Sequence, residues 1–410
     1  MGEYYDALEV RSADERAASI AERLPAQLTH AKKNTAHFAT ALAGIDAEAI
    51  TTRAALAALP VLRKSDLMAL QKQTPPFGGL NATPLAELAR VLISPGPIFE
   101  PEGHGEDFYR FARALFAAGI RKGDLVYNTF AYHLTPGGWI GQTAANALGC
   151  PVIPAGVGNT DQQLDAIAAL RPIAYVGTPA FLKVLLDKAE ETGSDASSIV
   201  KAMVSGGALP PSLRDELQAR GVSVRQSYGT ADLGLIAYES EAMEGMIADE
   251  GALIEIVRPG TGEPVPDGEV GEVVVTVFNS VYPLVRFATG DLSAVLPGIS
   301  PCGRTNLRTK GWMGRADQTT KVKGMFVHPS QVAEVVRRHP EIVKARLEVT
   351  GEKAMDAMTL VVETADGKGP IEAIGGSLTA VTKMRGDVRV VAEGSLPNDG
   401  KVIDDQRSYE

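Results

Sequence analysis

Sulfur is scarce in this chain of 410 residues, which has only two cysteines, Cys150 and Cys302. Two thiols cannot build a disulfide framework or a four-cysteine zinc site, so both are expected as reduced thiols and no structural zinc is expected. Long hydrophobic runs are missing as well. No apolar stretch approaches the roughly 18 residues that span a bilayer, and the opening MGEYYDALEV has no basic segment followed by an apolar one. A cytoplasmic protein without a membrane partner is the expectation. Positive charge is in deficit, with 40 Lys and Arg against 50 Asp and Glu and a net charge of −10. Nucleic acid demands a positive footprint, so it is not an expected partner. The six histidines include no HExxH pair, and no GxSxG elbow is present, which excludes the common zinc-protease and serine-hydrolase signatures. The glycines of PAGVGNT, from Pro154 to Thr160, lack the three-glycine spacing of a dinucleotide site.

What is present is an ordinary globular composition, 45% hydrophobic and 22% charged, long enough for more than one domain. The segment SADERAASIAERLPAQLTHAKKN places apolar residues at helical spacing. From Gly123 onward, short β-rich runs (DLVYNTF, PVIPAG, IAYVGTP, IVKAMVSGG, VSVRQSYG) alternate with helical stretches. That alternation predicts a parallel sheet with crossover helices, whose ligands bind beyond the carboxyl ends of the strands. GALIEIVRPGTGEPVPDGEVGEVVVTVF then reads as two antiparallel strands around a Gly/Pro-rich turn. A third section, from about Gly314, reads as a compact α+β module. The expected fold is therefore α/β: a large N-terminal domain over 1–313, with a parallel sheet, crossover helices and a β-rich subdomain, and a small α+β C-terminal domain over 314–410.

Five segments carry the chemistry, in the order SGGALP (205–210), SYGTADLG (227–234), FATGDL (287–292), MGRADQTTKVKGMFVHPSQVAEV (313–335) and LPNDGKVIDD (396–405). Taken alone, each has a plain structural reading: Asp291 as a turn residue after Gly290, Arg315 and Asp317 in a mixed-charge loop, Lys401 as a solvated lysine near the end of the chain. Together and in this order they resemble the phenylacetate–CoA ligase family of the adenylate-forming superfamily. The resemblance runs from about Arg90 to the C-terminus and more weakly through the N-terminal helices.

The resemblance implies a role for each piece. Asp291 would accept from the ribose hydroxyls of ATP, as a fixed carboxylate does through short charge-assisted bonds, and Arg315 would reach the same sugar. Gly206, Gly207 and Ala208 would wall the adenine, with glycine letting backbone approach a flat ligand, and Tyr228 and Gly229 would complete the nucleotide site. Asp232 stands where the family has a magnesium-binding glutamate. Asp317 would be the hinge of the small domain, and Lys323 and Gly324 would line the CoA tunnel. Lys401 would join the acyl carboxylate to the α-phosphate, where one cation orients two anions and offsets the charge that develops. Tyr132, His133, Gly137 and Gly138, in AYHLTPGGW, match the acyl-pocket loop, with Trp139 either beside the substrate ring or in the core.

Two departures stand out. The family's serine/threonine/glycine-rich phosphate loop is replaced by ISPGPIFEPEGHG (93–105). There Pro95, Pro97 and Pro101 supply no N–H, and Glu100 and Glu102 would repel a polyphosphate unless turned away or bridged by metal. Relatives that hold zinc have further cysteines around a segment that here reads SPCGR, with Cys302 alone. The reading is an AMP-forming carboxylic acid–CoA ligase for an aromatic or arylacetic acid, using ATP, magnesium and coenzyme A, with a homodimer as the default assembly. Its rivals are an adenylating enzyme with another acceptor and a noncatalytic relative that binds an acyl or nucleotide ligand.

Overall fold

The computed structural model describes residues 3–258, 261–316, 320–352, 355–396 and 402–407. The chain divides into two compact units, one of residues 1–207 and 214–314, the other of 208–213 and 315–410.

The first unit opens with helix α1 (Ala13–Asn34), whose start is set by a reciprocal cap: the Glu15 N–H donates to Ser12 Oγ at 3.2 Å and the Ser12 N–H to Glu15 Oε2 at 2.7 Å. Asp14 and Glu15 lie in its first turn and Lys32 and Lys33 in its last, in the sense the helix dipole favours. Leu24, Leu28 and Ala31 recur at helical spacing and are buried; they join Leu56, Leu62, Phe77 and Phe287 in one core cluster. Helices α2 (Ala36–Ala41), α3 (Arg53–Leu56) and α4 (Leu67–Gln73) follow, with strand β1 (Leu62–Arg63) between the last two. Strands β2 (Arg90–Ser94) and β3 (Ile98–Glu102) form a hairpin whose register runs from Arg90 opposite Glu102 to Ser94 opposite Ile98. Pro95, Gly96 and Pro97 are therefore its turn, where missing N–H groups remove nothing from the ladder.

After α5 (Ala112–Ala117), the predicted alternation appears: β4 (Val126–Asn128), α6 (Gly137–Ala147), β5 (Val152–Pro154), α7 (Thr160–Leu170), β6 (Ala174–Gly177), α8 (Pro179–Thr192), β7 (Lys201–Val204), α9 (Pro211–Ala219) and β8 (Ser223–Thr230). Helix α8 shows how the sequence punctuates these units. Thr178 caps its start, Pro179 stands just inside it, and Gly193 ends it at φ +71°. The strands pair in parallel in the order β5-β4-β6-β7-β8. β4 and β6 are buried along their whole length, as central parallel strands are.

Beyond β8 the sheet turns antiparallel through β9 (Gly234–Tyr238) and β10 (Met246–Ala248). A second sheet holds β11 (Ala252–Val257), β12 (Gly271–Val277) and β13 (Phe287–Ser293), with β1 parallel to β13 at the edge. Strands β14 (Val295–Leu296) and β15 (Arg308–Thr309) return to extend the first sheet to nine strands. Because β5 and β6 flank β4 on opposite sides, the connections leaving β4 and β6 diverge. A topological switch point of this kind opens a crevice at the carboxyl ends of the strands.

The second unit begins with a hairpin, β16 (Thr320–Val322) and β17 (Met325–Val327). Its two-residue turn has Lys323 at φ +48° and Gly324 at φ +84°, the left-handed pair that a tight hairpin turn requires. Helix α10 (Pro329–Arg338), β18 (Ile342–Glu352), β19 (Met355–Thr364), α11 (Ile371–Thr382), β20 (Asp387–Ala392) and β21 (Ile403–Asp405) complete it. The sheet order is β20-β19-β18-β21. Val335, Leu347, Leu360, Ile374 and Leu378 are in its separate core. Among the described residues no helix is long and apolar enough to cross a membrane.

Candidate active site

Strand β8 carries Tyr228 and strand β13 carries Asp291, and their side chains meet across the two sheets. The Tyr228 hydroxyl donates to Asp291 Oδ2 at 2.8 Å and to Thr289 Oγ1 at 3.1 Å. Trp312 Nε1–H donates to Asp291 Oδ1 at 3.0 Å, and the Asp291 N–H donates to Thr289 Oγ1 at 3.1 Å. A carboxylate held at both oxygens by rigid aromatic donors keeps one orientation, and each of its oxygens can accept from more than one donor. Gly206, at φ +72° just past β7, and Gly207 are exposed. A side chain at Gly207 would come no nearer than 3.7 Å to Pro179, so this wall is open. Gly229 is required for a different reason: its Cβ would stand 2.7 Å from the Gly234 carbonyl, where β8 and β9 pair.

Asp232, just past β8, is the residue expected to bind magnesium. Its side chain is fully buried and its Oδ2 is ion-paired with the ammonium of Lys64, which follows β1. Burial would lower Lys64, but the charge of Asp232 above all outweighs it and raises the lysine, which stays charged. Glu100, on β3, is 1% exposed and accepts from Ser94 Oγ at 2.6 Å. Burial first, and then the charge of Asp232, push its carboxyl well above the usual range and favour its protonated form. Glu100 Oε2 and Asp232 Oδ1 are both buried without another partner, and in its protonated form Glu100 can donate to Asp232. Magnesium demands near-octahedral oxygen ligands, several of them water. One oxygen facing an ammonium and the other buried beside a second carboxyl do not fit it. Among the described residues no group of three or more His, Cys, Asp or Glu is placed to hold a metal ion.

The same hairpin disposes of its second acid. Glu102 is 2% exposed and pairs with Arg90 Nη1 at 2.5 Å. Both glutamates of the atypical 93–105 segment are thus turned into the protein, which removes the repulsion that their sequence position suggested.

The loop after β4 lies at the switch point. Asn128 Nδ2 donates to the Tyr132 hydroxyl and to the Gly138 carbonyl, both at 2.8 Å. Burial pushes the Tyr132 phenol up to about 12, so it is neutral. Gly138 lies under that ring: a Cβ there would be 2.7 Å from it. Gly137, whose Cβ would be 3.3 Å from Phe130, opens α6 beside it. Trp139 meets Tyr132 edge-on at 5.4 Å, and the Arg90 guanidinium covers its ring at 4.0 Å. It is half-buried rather than core. His133 is exposed. The Ile93 N–H donates to the Leu134 carbonyl at 2.8 Å, tying the β2–β3 hairpin to this loop.

In the second unit, the Arg315 guanidinium lies 5.5 Å from the Phe326 ring centroid. Lys323 and Gly324 form the hairpin turn, where the Lys323 N–H donates to Asp356 Oδ2 at 2.7 Å. Ala208 is half-buried and is grouped with this unit. Asp317 and Lys401 lie outside the described residues. Sequence reasoning missed Trp312, Thr289 and Lys64. The nearness of Trp312 to Arg315 was the one available signal; nothing local marked Lys64 as the partner of an acid 168 positions away.

The AMP-binding enzyme family matches residues 131–277, the stretch from the β4 loop through β12. The phenylacetate-coenzyme A ligase of Aromatoleum evansii is 32% identical over 374 residues, 87% of this chain and 83% of that protein. The phenylacetate-coenzyme A ligase of Thermus thermophilus is 32% identical over 79% of this chain and 75% of its own. Among solved structures, a 2-hydroxyisobutyryl-CoA ligase in complex with 2-HIB-AMP and CoA superposes with a TM-score of 0.85 at 25% identity, covering 98% of this chain and 92% of that one.

Proposed function

The chain belongs to the phenylacetate–CoA ligase family of adenylate-forming enzymes, and from that premise we propose that it joins an aromatic or arylacetic acid to coenzyme A through an acyl-adenylate. The acid's carboxylate attacks the α-phosphorus of ATP and pyrophosphate leaves. The CoA thiol then attacks the acyl carbonyl, the thioester forms and AMP departs. The observation that carries the reading is Asp291, held at both oxygens by Tyr228 and Trp312, an acceptor for vicinal ribose hydroxyls that does not have to reorganise on binding. Arg315 serves the same sugar. Gly206, Gly207, Ala208 and Gly229 face the base, and the Tyr132 loop with Gly137 and Gly138 forms the acyl pocket. A neutral phenol and half-buried aromatic rings suit an aryl group better than a charged one.

Lys401 is assigned to adenylation, Asp317 to the hinge of the mobile 314–410 domain, and Lys323 and Gly324 to the pantetheine path. Magnesium enters as part of the substrate MgATP, without Asp232. A cytoplasmic homodimer that binds no nucleic acid completes the proposal.

Pyrophosphate release from MgATP across aromatic and aliphatic acids, with and without CoA, tests this in wild type and Lys401→Ala. Release that depends on the lysine, with thioester only when CoA is present, supports the ligase. Release without thioester points to another acceptor. The second reading, a noncatalytic binder, is favoured by the proline turn of the 93–105 hairpin, where Pro95 and Pro97 offer no N–H to a phosphate. A folded protein that binds nucleotide and releases no pyrophosphate would establish it.

A further inference from the structure

Asn128 ends β4, a strand flanked by β5 and β6 and buried along its whole length, and is itself 0% exposed. A primary amide in such a place is costly unless its hydrogen bonds are made. Here they are made to the segment that follows it. Nδ2 donates to the Tyr132 hydroxyl and to the Gly138 carbonyl, both at 2.8 Å, and Oδ1 accepts from the Phe130 N–H at 3.2 Å. With acceptors on its nitrogen and a donor on its oxygen, the amide has one orientation.

The packing around it is close. Helix α6 lies against β4 with glycine at Gly138 and Gly141, three apart and so on one face of the helix. A Cβ at Gly141 would stand 2.9 Å from Asn128 Nδ2 and 3.1 Å from Val176 Cγ1 on β6, and one at Gly138 would stand 2.7 Å from the Tyr132 ring. The ring is thus held at its hydroxyl by Asn128 and over Gly138, with Trp139 edge-on to it at 5.4 Å. An apolar side chain would fill the same space in β4 without desolvating an amide. What the amide adds is the direction of the loop.

We propose that Asn128 is a positioning residue for the acyl site: it fixes the Tyr132 ring from the sheet beneath and so sets a preference for aryl over saturated acyl groups. This rests on the reading of the Tyr132 loop as the acyl pocket. Aromatic pairs gain more than their buried area when the rings meet edge-to-face or offset. A ring tethered at its hydroxyl keeps that arrangement ready for a substrate ring, whereas a saturated group makes no such demand on direction. Asn128 has no exposed surface for a substrate to touch, so it acts through Tyr132.

The test compares kcat/KM for benzoate and phenylacetate with that for cyclohexanecarboxylate and cyclohexylacetate, from initial rates of pyrophosphate release by the full chain. Asn128→Leu keeps the volume and removes the donors. Tyr132→Phe removes the hydroxyl and leaves Asn128 in place, and a third protein carries both changes. Each single variant should lower the aryl-to-saturated ratio roughly 3–10-fold with the ATP KM unchanged. The double variant should lower it no further, because both changes remove one shared interaction. A merely structural role lowers both classes of acid alike or makes the two effects add. Either result, or an unchanged ratio in active variants, overturns the proposal alone. A wild type that activates none of the four acids defeats the acyl-pocket reading and the proposal with it. Tyr132→Phe leaves the buried end of β4 intact, so the test stands even if Asn128→Leu fails to fold.

Discussion

The hydroxyl of Tyr228 donates to Asp291 Oδ2 at 2.8 Å, and this bond joins the last parallel strand of one sheet to the edge-paired strand of the other. A nucleotide sugar received by Asp291 would be held by a carboxylate whose direction is set from both sheets.

Asp291→Asn keeps the shape of that residue but replaces one acceptor with a donor. Lost charged hydrogen bonds of about 1.5–3 kcal/mol translate to a KM for ATP raised roughly 10–100-fold, with the acid's KM little changed. Tyr228→Phe should give a smaller rise of the same kind, since Trp312 still holds Oδ1. Initial rates of pyrophosphate release at varied ATP measure both. An unchanged ATP KM in Asp291→Asn would remove the residue from the nucleotide site.

Lys64 and Glu100 should respond to substitution very differently. Lys64→Met strands the buried charge of Asp232, and breaking a buried pair in this way costs about 3–5 kcal/mol. Burial and the charge of Asp232 favour the protonated form of Glu100, so Glu100→Gln keeps a donor toward Asp232 and should cost under about 1 kcal/mol. Urea unfolding separates the two; a Glu100→Gln protein as damaged as the Lys64→Met one would mean that Glu100 is ionised.

Gly138→Ala would drive a methyl into the Tyr132 ring, where its Cβ would lie at 2.7 Å. The ring must move, and misplacement of about 1 Å in a substrate-positioning group can cost up to ~100-fold. The expected result is a roughly 10–100-fold lower kcat/KM for aryl acids with an ordinary ATP KM. Equal losses for every acid would argue against an acyl-pocket role.

Asp107 gives the protein a pH signature. Burial pushes its carboxyl up to about 7, although the Phe111 and Ala112 N–H groups donate to it at 2.8 and 2.9 Å. Its folded value is above its unfolded one, so its contribution to stability is fully present below about pH 4 and is lost as pH rises through 7. Relative to Asp107→Asn, wild type should lose about 2–4 kcal/mol between those limits. Chemical unfolding of both proteins from pH 4 to 8 measures it; parallel curves would show that Asp107 is ionised throughout.

Much of this protein was legible along the chain. Strand-length apolar runs alternating with helical periods can be buried only by a parallel sheet with crossovers, and that is what β4 through β8 form. FATGD marked Asp291 through its resemblance to the family's motif, since Gly and Asp in that order read locally only as a turn. Lys323 and Gly324 were likewise named by resemblance, and the structure shows them as the turn of the β16–β17 hairpin.

The charge partners were not legible. Lys64 lies 168 positions from Asp232, and Trp312 lies 21 from Asp291. Nothing local distinguishes Glu100 buried beside an aspartate from Glu100 in solvent. Sequence by itself determined which segments become strands and helices and where the family's motifs fall, because periodicity and turn chemistry act over a few residues. Only the tertiary structure decided that Asp232 pairs with the ammonium of Lys64 and that Arg11 and Arg16 share Glu250, because burial and pairing of charge depend on which distant elements the core brings together.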